Sequence, residues 1–497
     1  MLFGRRGARR RMRAPLVIAA LLLAGCVNVA DPGGGEGAPV ALAGYERVCD
    51  LARGSAGWTE PCLAFASPNE SPSKTEVDLA VNPTDPENVV VGSKDNDPKA
   101  SPCVWAVPQV SKDGGRSWTT VYIGGEMGAR QPTEPLWGWN CITDPIMAFD
   151  AQGTLYYSLQ AYDHTVEAGE LPRLPGIGGV FAVGSAIFAA RSTDGGLTWD
   201  KVVPLHVGDG ANVFHDYMRV LVNPATGTYH TIWNQFTGPA TVVPVLVAWD
   251  GASDAPRPPT YVPVPDRPEG TVMAGFAASA SGTLYVLLED GDDAWLTVST
   301  DDGRTFSAPR LVEELRGARI ERQALGDDAF RTTGSYELVV DNTGGPRDGW
   351  LYATISACEA RLDCDVFVSR SEDGGGTWTE QVLVNGGAHK PNLQWIPRPH
   401  VDRLGNLHVL YFDTSRQGGT SIDATWAVST DAGATWNSTY LTATPFDGNL
   451  GIHQDGFPFI GDYNGIGGAG DFVYMAFPTT VTGRAEIAVA KVRLPAS

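Results

Sequence analysis

The chain has 497 residues, with 59 Gly, 35 Pro and only 19% charged residues. Gly at about 12% exceeds the usual ~7%, and Gly and Pro disfavour helix interiors, so an all-helical fold is excluded. The formal net charge is −21; a surface that acidic repels phosphate backbones and argues against nucleic acid as a partner.

The first element is basic. Arg5, Arg6, Arg9, Arg10, Arg11 and Arg13 precede any acidic residue. Without these six, 30 basic residues face 57 acidic ones, a balance of −27. An apolar stretch, residues 14–24, follows, then Leu23-Ala24-Gly25-Cys26. That order is the order of a secretory signal, and the stretch is shorter than the ~20 residues of a membrane span. Residues 1–26 are therefore expected to be removed or processed on export. The Gly-rich residues 27–44 are expected to act as a flexible tether. The ending is similar to a bacterial lipobox, which implies that Cys26 is lipidated and that the protein is held at a membrane, facing a periplasm or the outside. Beyond Cys26 six cysteines remain, an even number that suits disulfides in an exported chain. Proximity groups Cys49 with Cys62, Cys103 with Cys141 and Cys358 with Cys364, one of fifteen pairings open to six cysteines.

From residue 77 onward an inner pattern repeats seven times: apolar strand, polar or Gly turn, apolar strand. It covers 77–91, 146–159, 219–233, 274–288, 336–355, 400–412 and 459–477. After five of these comes an octapeptide. It reads Ser111-Lys-Asp113-Gly-Gly115-Arg-Ser-Trp118, Ser192-Thr-Asp194-Gly-Gly196-Leu-Thr-Trp199, Ser299-Thr-Asp301-Asp-Gly303-Arg-Thr-Phe306, Ser371-Glu-Asp373-Gly-Gly375-Gly-Thr-Trp378 and Ser429-Thr-Asp431-Ala-Gly433-Ala-Thr-Trp436. The Asp can accept backbone N–H bonds within a turn, the Gly can take a positive φ, and the aromatic ring opens the return strand. Trp249-Asp250-Gly251 reads as a decayed copy.

The octapeptide resembles the Asp-box of the sialidase-like β-propeller superfamily. The resemblance implies an all-β fold over residues 45–497, a propeller of seven four-stranded blades with six as the alternative. Residues 45–65 are expected to complete the last blade. It implies a structural role for Asp113, Asp194, Asp301, Asp373 and Asp431. It also implies that ligands meet the opposite face, where loops join one blade to the next and the second strand to the third.

Those loops and the adjoining strand starts carry Trp137, Trp139, His215, Asp216, Arg219, Lys390, Trp395, Arg398, Arg416 and Asp455, the candidate ligand-binding residues. Rings that stack on sugars beside charged groups are what glycan binding needs. The resemblance further implies three Arg that hold a substrate carboxylate, a Tyr–Glu nucleophile pair and an Asp acid/base. Arg219, Arg398 and Arg416 are the candidates for the first, Tyr463 for the second and Asp144 for the third. The first inner strand contains no Arg, and no Glu neighbours Tyr463 in the sequence. No phosphate loop, nucleophile elbow or zinc-protease motif occurs. Asp95-Asn96-Asp97 and Glu289–Asp293 read as solvated loops, so no cofactor and no metal are expected. Three functions remain open: a propeller that binds glycans or a protein partner without catalysis, a sialidase-like glycoside hydrolase, and an envelope assembly factor.

Overall fold

The computed structural model describes residues 41–51, 62–66, 74–96, 103–124, 135–139, 141–162, 184–208, 213–237, 241–266, 270–291, 293–315, 323–325, 328–330, 332, 336–360, 363–386, 392–454 and 457–496. Cys26 and the expected tether up to residue 40 lie outside them, as do Lys390 and Asp455. Among the described residues there is no α-helix, only two single 3₁₀ turns at Glu313–Leu315 and Gly448–Leu450. No helix among them is long and apolar enough to cross a membrane.

Seven antiparallel sheets follow one another along the chain. Their inner strands are Lys74–Asn82, Cys141–Phe149, Val213–Val222, Val272–Ala278, Glu337–Val340, Gln394–Val401 and Gly465–Ala469, which define blades 1 to 7. Blades 1 to 6 each add three further strands of the same chain segment in meander order. Blade 7 adds Phe472–Thr479 and Glu486–Arg493, and then takes its outer strands from the start of the chain. Tyr45–Arg47 and Leu63–Phe65 both pair antiparallel with Glu486–Arg493. This closes the ring between two ends of the polypeptide, and it settles the number of blades at seven.

The packing explains the low charge. Seven apolar clusters correspond to the seven contacts between neighbouring blades. Val77, Val89, Tyr474 and Val489 join blades 7 and 1. Val90, Val107, Ile142 and Leu155 join blades 1 and 2. The same alternation continues around the ring to Trp395, Phe412, Trp426, Val473 and Met475 between blades 6 and 7. Both faces of each sheet are thus covered, and the inner strand of blade 1 is buried at every position. Burial of apolar area at roughly 25 cal/mol per Å² is the main source of stability in such a ring.

The five octapeptides occupy the turns between third and fourth strands of blades 1, 2, 4, 5 and 6. Each makes the same set of bonds. In blade 2, Ser192 Oγ donates to Asp194 Oδ1 at 2.8 Å, and Gly196 N donates to Ser192 Oγ at 2.8 Å. Thr198 N and Thr198 Oγ1 donate to the two Asp194 oxygens at 2.9 and 2.6 Å. Gly196 sits at φ 101°, where a side chain would be strained and a Cβ would press on Val110 and Val90 at 3.1 Å. The copy in blade 3 retains only the Asp: Asp250 Oδ1 accepts from Ala252 N and Ser253 N at 2.9 and 2.8 Å.

Three disulfides join Cys49 to Cys62, Cys103 to Cys141 and Cys358 to Cys364. Cys49–Cys62 lies in the segment that closes the ring, and Cys103–Cys141 links blade 1 to the inner strand of blade 2. Disulfides are the mark of an extracytoplasmic, oxidising compartment.

Candidate functional site

The inner strands are not regular. In five of the seven the register slips in the first part of the strand, between Thr75 and Asp78, Thr143 and Ile146, Asp216 and Arg219, Met273 and Gly275, and Trp395 and Arg398. Four of these bulges hold a non-glycine residue at positive φ: Glu76 at 51°, Asp144 at 53°, Tyr217 at 55° and Ile396 at 55°. Such conformations cost of order 1–3 kcal/mol each and persist only where the surroundings impose them. All lie in the first half of the inner strand, next to the loop that enters the blade. In this topology that is the end opposite the Asp-box turns.

The bulges gather charge at the propeller axis. Arg219, from blade 3, donates through Nη2 to Glu337 Oε1 of blade 5, with Nε 3.4 Å from Oε2. Arg398, from blade 6, reaches the same Glu337 Oε1 through Nη1 at 2.8 Å. Its Nη2 lies 3.5 Å from Asp78 Oδ1. Asp78 Oδ2 accepts from Met147 N of blade 2 at 2.8 Å. Lys94 pairs with Glu76 at 3.0 Å, and Lys74 with Asp95 at 3.1 Å. Arg219 also lies over the Tyr217 ring at 4.2 Å and donates to its hydroxyl at 2.6 Å.

Asp144 is the anomalous group. It is 7% exposed. Its carboxyl is pushed up to about 6, first by burial and then by the charge of Asp216, with Lys94 and Thr143 opposing. Asp216 stands within hydrogen-bonding reach of it, and Thr143 Oγ1 donates to Asp144 Oδ1 at 2.8 Å. Two carboxyl groups this close cannot both ionise freely, so Asp144 keeps its proton up to about pH 6.

Tyr463 completes the cluster. Its carbonyl accepts from Val77 N at 3.3 Å, which seats it beside the bulge at Glu76. Close approach here requires Gly461 (φ 124°), since a Cβ would stand 2.7 Å from Glu76 N. Its ring is 5.8 Å from the Arg219 guanidinium. The Tyr463 hydroxyl is buried and has no hydrogen-bond partner among the described residues. Burial, then the charges of Asp144, Glu76 and Asp78, hold it protonated, well above the ordinary tyrosine range. No Glu neighbours Tyr463 in the sequence, but Glu76, some 390 positions away in the chain, approaches through the ring closure between blades 7 and 1.

Of the sequence candidates, Asp144, Asp216, Arg219, Arg398 and Tyr463 are brought together. Arg416 is not: it is bound to Asp423 and to the carbonyl oxygens of Thr442 and Ala443, over the Tyr440 ring. Trp395 is fully buried, in the apolar cluster between blades 6 and 7. His215 is buried on Trp233, with Nδ1 on Ser185 Oγ at 2.9 Å and Nε2 on His206 Nδ1 at 3.0 Å. Its imidazole is held neutral, pushed down to about 3 by burial and His206. Trp139 packs edge-on against Phe188, and Trp137 is 39% exposed in the turn 135–138. Glu76, Asp78, Lys94, Tyr217 and Glu337 were missed. For Glu76, Asp78 and Glu337 the signal is charge inside otherwise apolar inner strands, most plainly in Lys74-Thr-Glu76-Val-Asp78-Leu; Lys94, in the second strand of blade 1, and Tyr217 carry no such signal.

A cleft of about 420 Å³ lies away from this cluster, against the Asp-box of blade 2, lined by Tyr122, Pro135, Leu136, Leu197, Trp199 and Lys201 among others. It contains none of the paired carboxyls. Among the described residues no group of three or more His, Cys, Asp or Glu is arranged to hold a metal ion.

No protein-family model matches the chain, and no curated protein does. Solved structures do match. A protein of unknown function from Dyadobacter fermentans shows 15% identity over 91% of this chain and 100% of that chain, with a TM-score of 0.46. The NanB sialidase of Streptococcus pneumoniae shows 11% identity over 86% and 70%, with a TM-score of 0.42. The α-L-arabinanase of Penicillium chrysogenum shows 12% identity over 86% and 96%, with a TM-score of 0.46.

Proposed function

We propose that this protein receives a glycan at the axial end opposite the Asp-box turns and cleaves a glycosidic bond there, with Asp144 as the proton donor. The observation that carries this reading is the Asp144–Asp216 pair: a buried carboxyl at about 6 against a second carboxyl, inside a cluster drawn from six blades. Perturbed acids in a shared site are the signature of proton-transfer chemistry. Asp144, protonated, gives its proton to the leaving oxygen as the bond to the anomeric carbon breaks. Asp216 keeps that proton in place beforehand by disfavouring the ionised form. Tyr463 keeps its own proton at rest, so attack by its oxygen on the anomeric carbon requires transfer of that proton to a carboxylate, for which Glu76, next to the Val77–Tyr463 backbone bond, is available; water then breaks the glycosyl–Tyr463 bond and releases the sugar.

A second reading, glycan or protein binding without catalysis, is favoured by one observation. Asp144 and Asp216 are in contact, whereas glycosidase carboxyls stand ~5–10 Å apart. Hydrolysis of a panel of chromogenic glycosides by the purified exported protein decides between them. Turnover abolished in Asp144→Asn supports cleavage; absence of turnover across the panel, with saturable glycan binding, supports the second reading.

The anchor is part of the proposal. Cys26 is taken as the lipidated residue, and the tether is taken to end before Ala41, because Ala41–Leu42 pairs with Tyr45–Glu46 in the blade 7 sheet rather than lying in a tether that runs to residue 44; the propeller that follows is presented outside the cytoplasm. The three disulfides support export. Palmitate labelling in a bacterial host tests the anchor, and a Cys26→Ala variant that still carries label contradicts it.

A further inference from the structure

The geometry points to Glu337 as a built-in anion that closes the Arg219–Arg398 pair to ligand carboxylates, so that the axial site takes uncharged sugars and turns away acidic ones. This rests on the axis being the ligand site. Arg219 and Arg398 come from blades 3 and 6, which are not neighbours, and converge on one oxygen of Glu337. Two guanidiniums on one carboxylate is the arrangement that recognises a carboxylated ligand. Here the chain supplies the carboxylate itself.

The charges close. Arg219 and Arg398 face Glu337 and Asp78, two against two. Lys94 is on Glu76 and Lys74 on Asp95. A sugar acid entering this site meets guanidiniums already satisfied by the Glu337 and Asp78 carboxylates, and like charge at close range opposes binding. A neutral sugar meets hydroxyl and carboxyl acceptors with no such penalty. The Arg398 side chain is 17% exposed against 4% for Arg219 and 6% for Glu337. An anion admitted in place of Glu337 therefore has a route past Arg398.

An ordinary structural ion network makes a different prediction: removing Glu337 destabilises the fold and creates no ligand affinity. The test uses Glu337→Ala and Glu337→Gln in the full purified protein. Binding of glucuronate and of glucose is measured by calorimetry, and thermal stability is measured in sodium formate and in sodium chloride. The wild type is expected to show no saturable glucuronate binding. Glu337→Ala is expected to gain at least tenfold in glucuronate affinity and to be stabilised by formate beyond an equal concentration of chloride. Both gains should disappear in Glu337→Ala/Arg398→Met. If Glu337→Ala does not fold, Glu337→Gln, which keeps the shape without the charge, must show the same ordering. Wild type binding glucuronate as tightly as the variants, or variants with no gain, overturns the assignment. Failure of the wild type to cleave neutral glycosides, with the anion gain intact, overturns the glycosidase reading and leaves the role of Glu337 standing.

Discussion

Two sets of aspartates lie at opposite ends of the blades, and they are built in opposite ways. In the Asp-box turns every carboxylate oxygen is supplied with donors, from Ser and Thr hydroxyls and a backbone N–H. Those groups stay ionised: Asp301 is brought down to about 2, chiefly by Thr305, despite some burial. At the axis Asp144 has one hydroxyl donor and a second carboxyl beside it, and it moves the other way, to about 6. The difference separates a carboxylate that fixes a turn from one that is kept reactive. Donor supply, set by the residues at i−2 and i+4, makes the first; burial against a like charge makes the second.

The largest effect is expected at Asp144. Asp144→Asn should reduce glycoside cleavage by about 10²–10⁴-fold, the usual contribution of a general acid, with near-native circular dichroism; an unchanged kcat would return Asp144 to a structural role. Next comes Arg219→Met. It leaves Glu337 with Arg398 alone in a buried site, and losing one partner of a buried pair costs about 3–5 kcal/mol, readable in urea unfolding.

The pH dependence of stability should have opposite signs at the two ends. The Asp144 carboxyl is raised in the folded state, from 3.8 to about 6. Its contribution is fully present below pH 3.8 and is lost as pH rises through 6, by roughly 3 kcal/mol at 1.36 kcal/mol per unit. The box aspartates are lowered, so their contribution is present above the unfolded value and is lost as pH falls below it. Unfolding curves of wild type and Asp144→Asn between pH 3 and 8 should converge or cross in the 4–6 interval. Parallel curves would deny the shift.

Smaller still is Asp194→Ala. It removes the carboxylate that gathers Ser192, Leu197 and Thr198, and should cost about 1–2 kcal/mol, with activity per folded molecule unchanged. The loss should add with that of Asp431→Ala, two blades being far enough apart to act independently. Least affected should be Trp137→Ala, within about 0.5 kcal/mol in stability as an exposed site; a fall in glycan affinity there would extend the ligand surface out to the turn at 135–138.

The two ends also differ in how readable they are. An Asp-box is a local object: all its bonds span two to four residues, so the octapeptide announces the turn. Blade number follows from counting inner hairpins, and the closing segment from the unpaired edge of Glu486–Arg493. The axial cluster is assembled from positions as distant as Asp78 and Arg398, so nothing in a short window announces it. Trp395 illustrates the limit. An aromatic in a loop-adjacent position suggests a sugar platform, yet the register slip before Arg398 leaves its ring in the core and Arg398 at the axis. Arg416 fails for a different reason: Asp423, seven residues on, captures it across the hairpin.

The most direct measurement is the pH–rate profile of neutral aryl-glycoside cleavage by wild type and Asp144→Asn. Wild-type turnover should fall as pH rises through about 6, as Asp144 loses its proton, and the variant should lose both the rate and that limb. A variant as active as wild type with the same alkaline limb, or a wild type with no turnover at any pH, would contradict it.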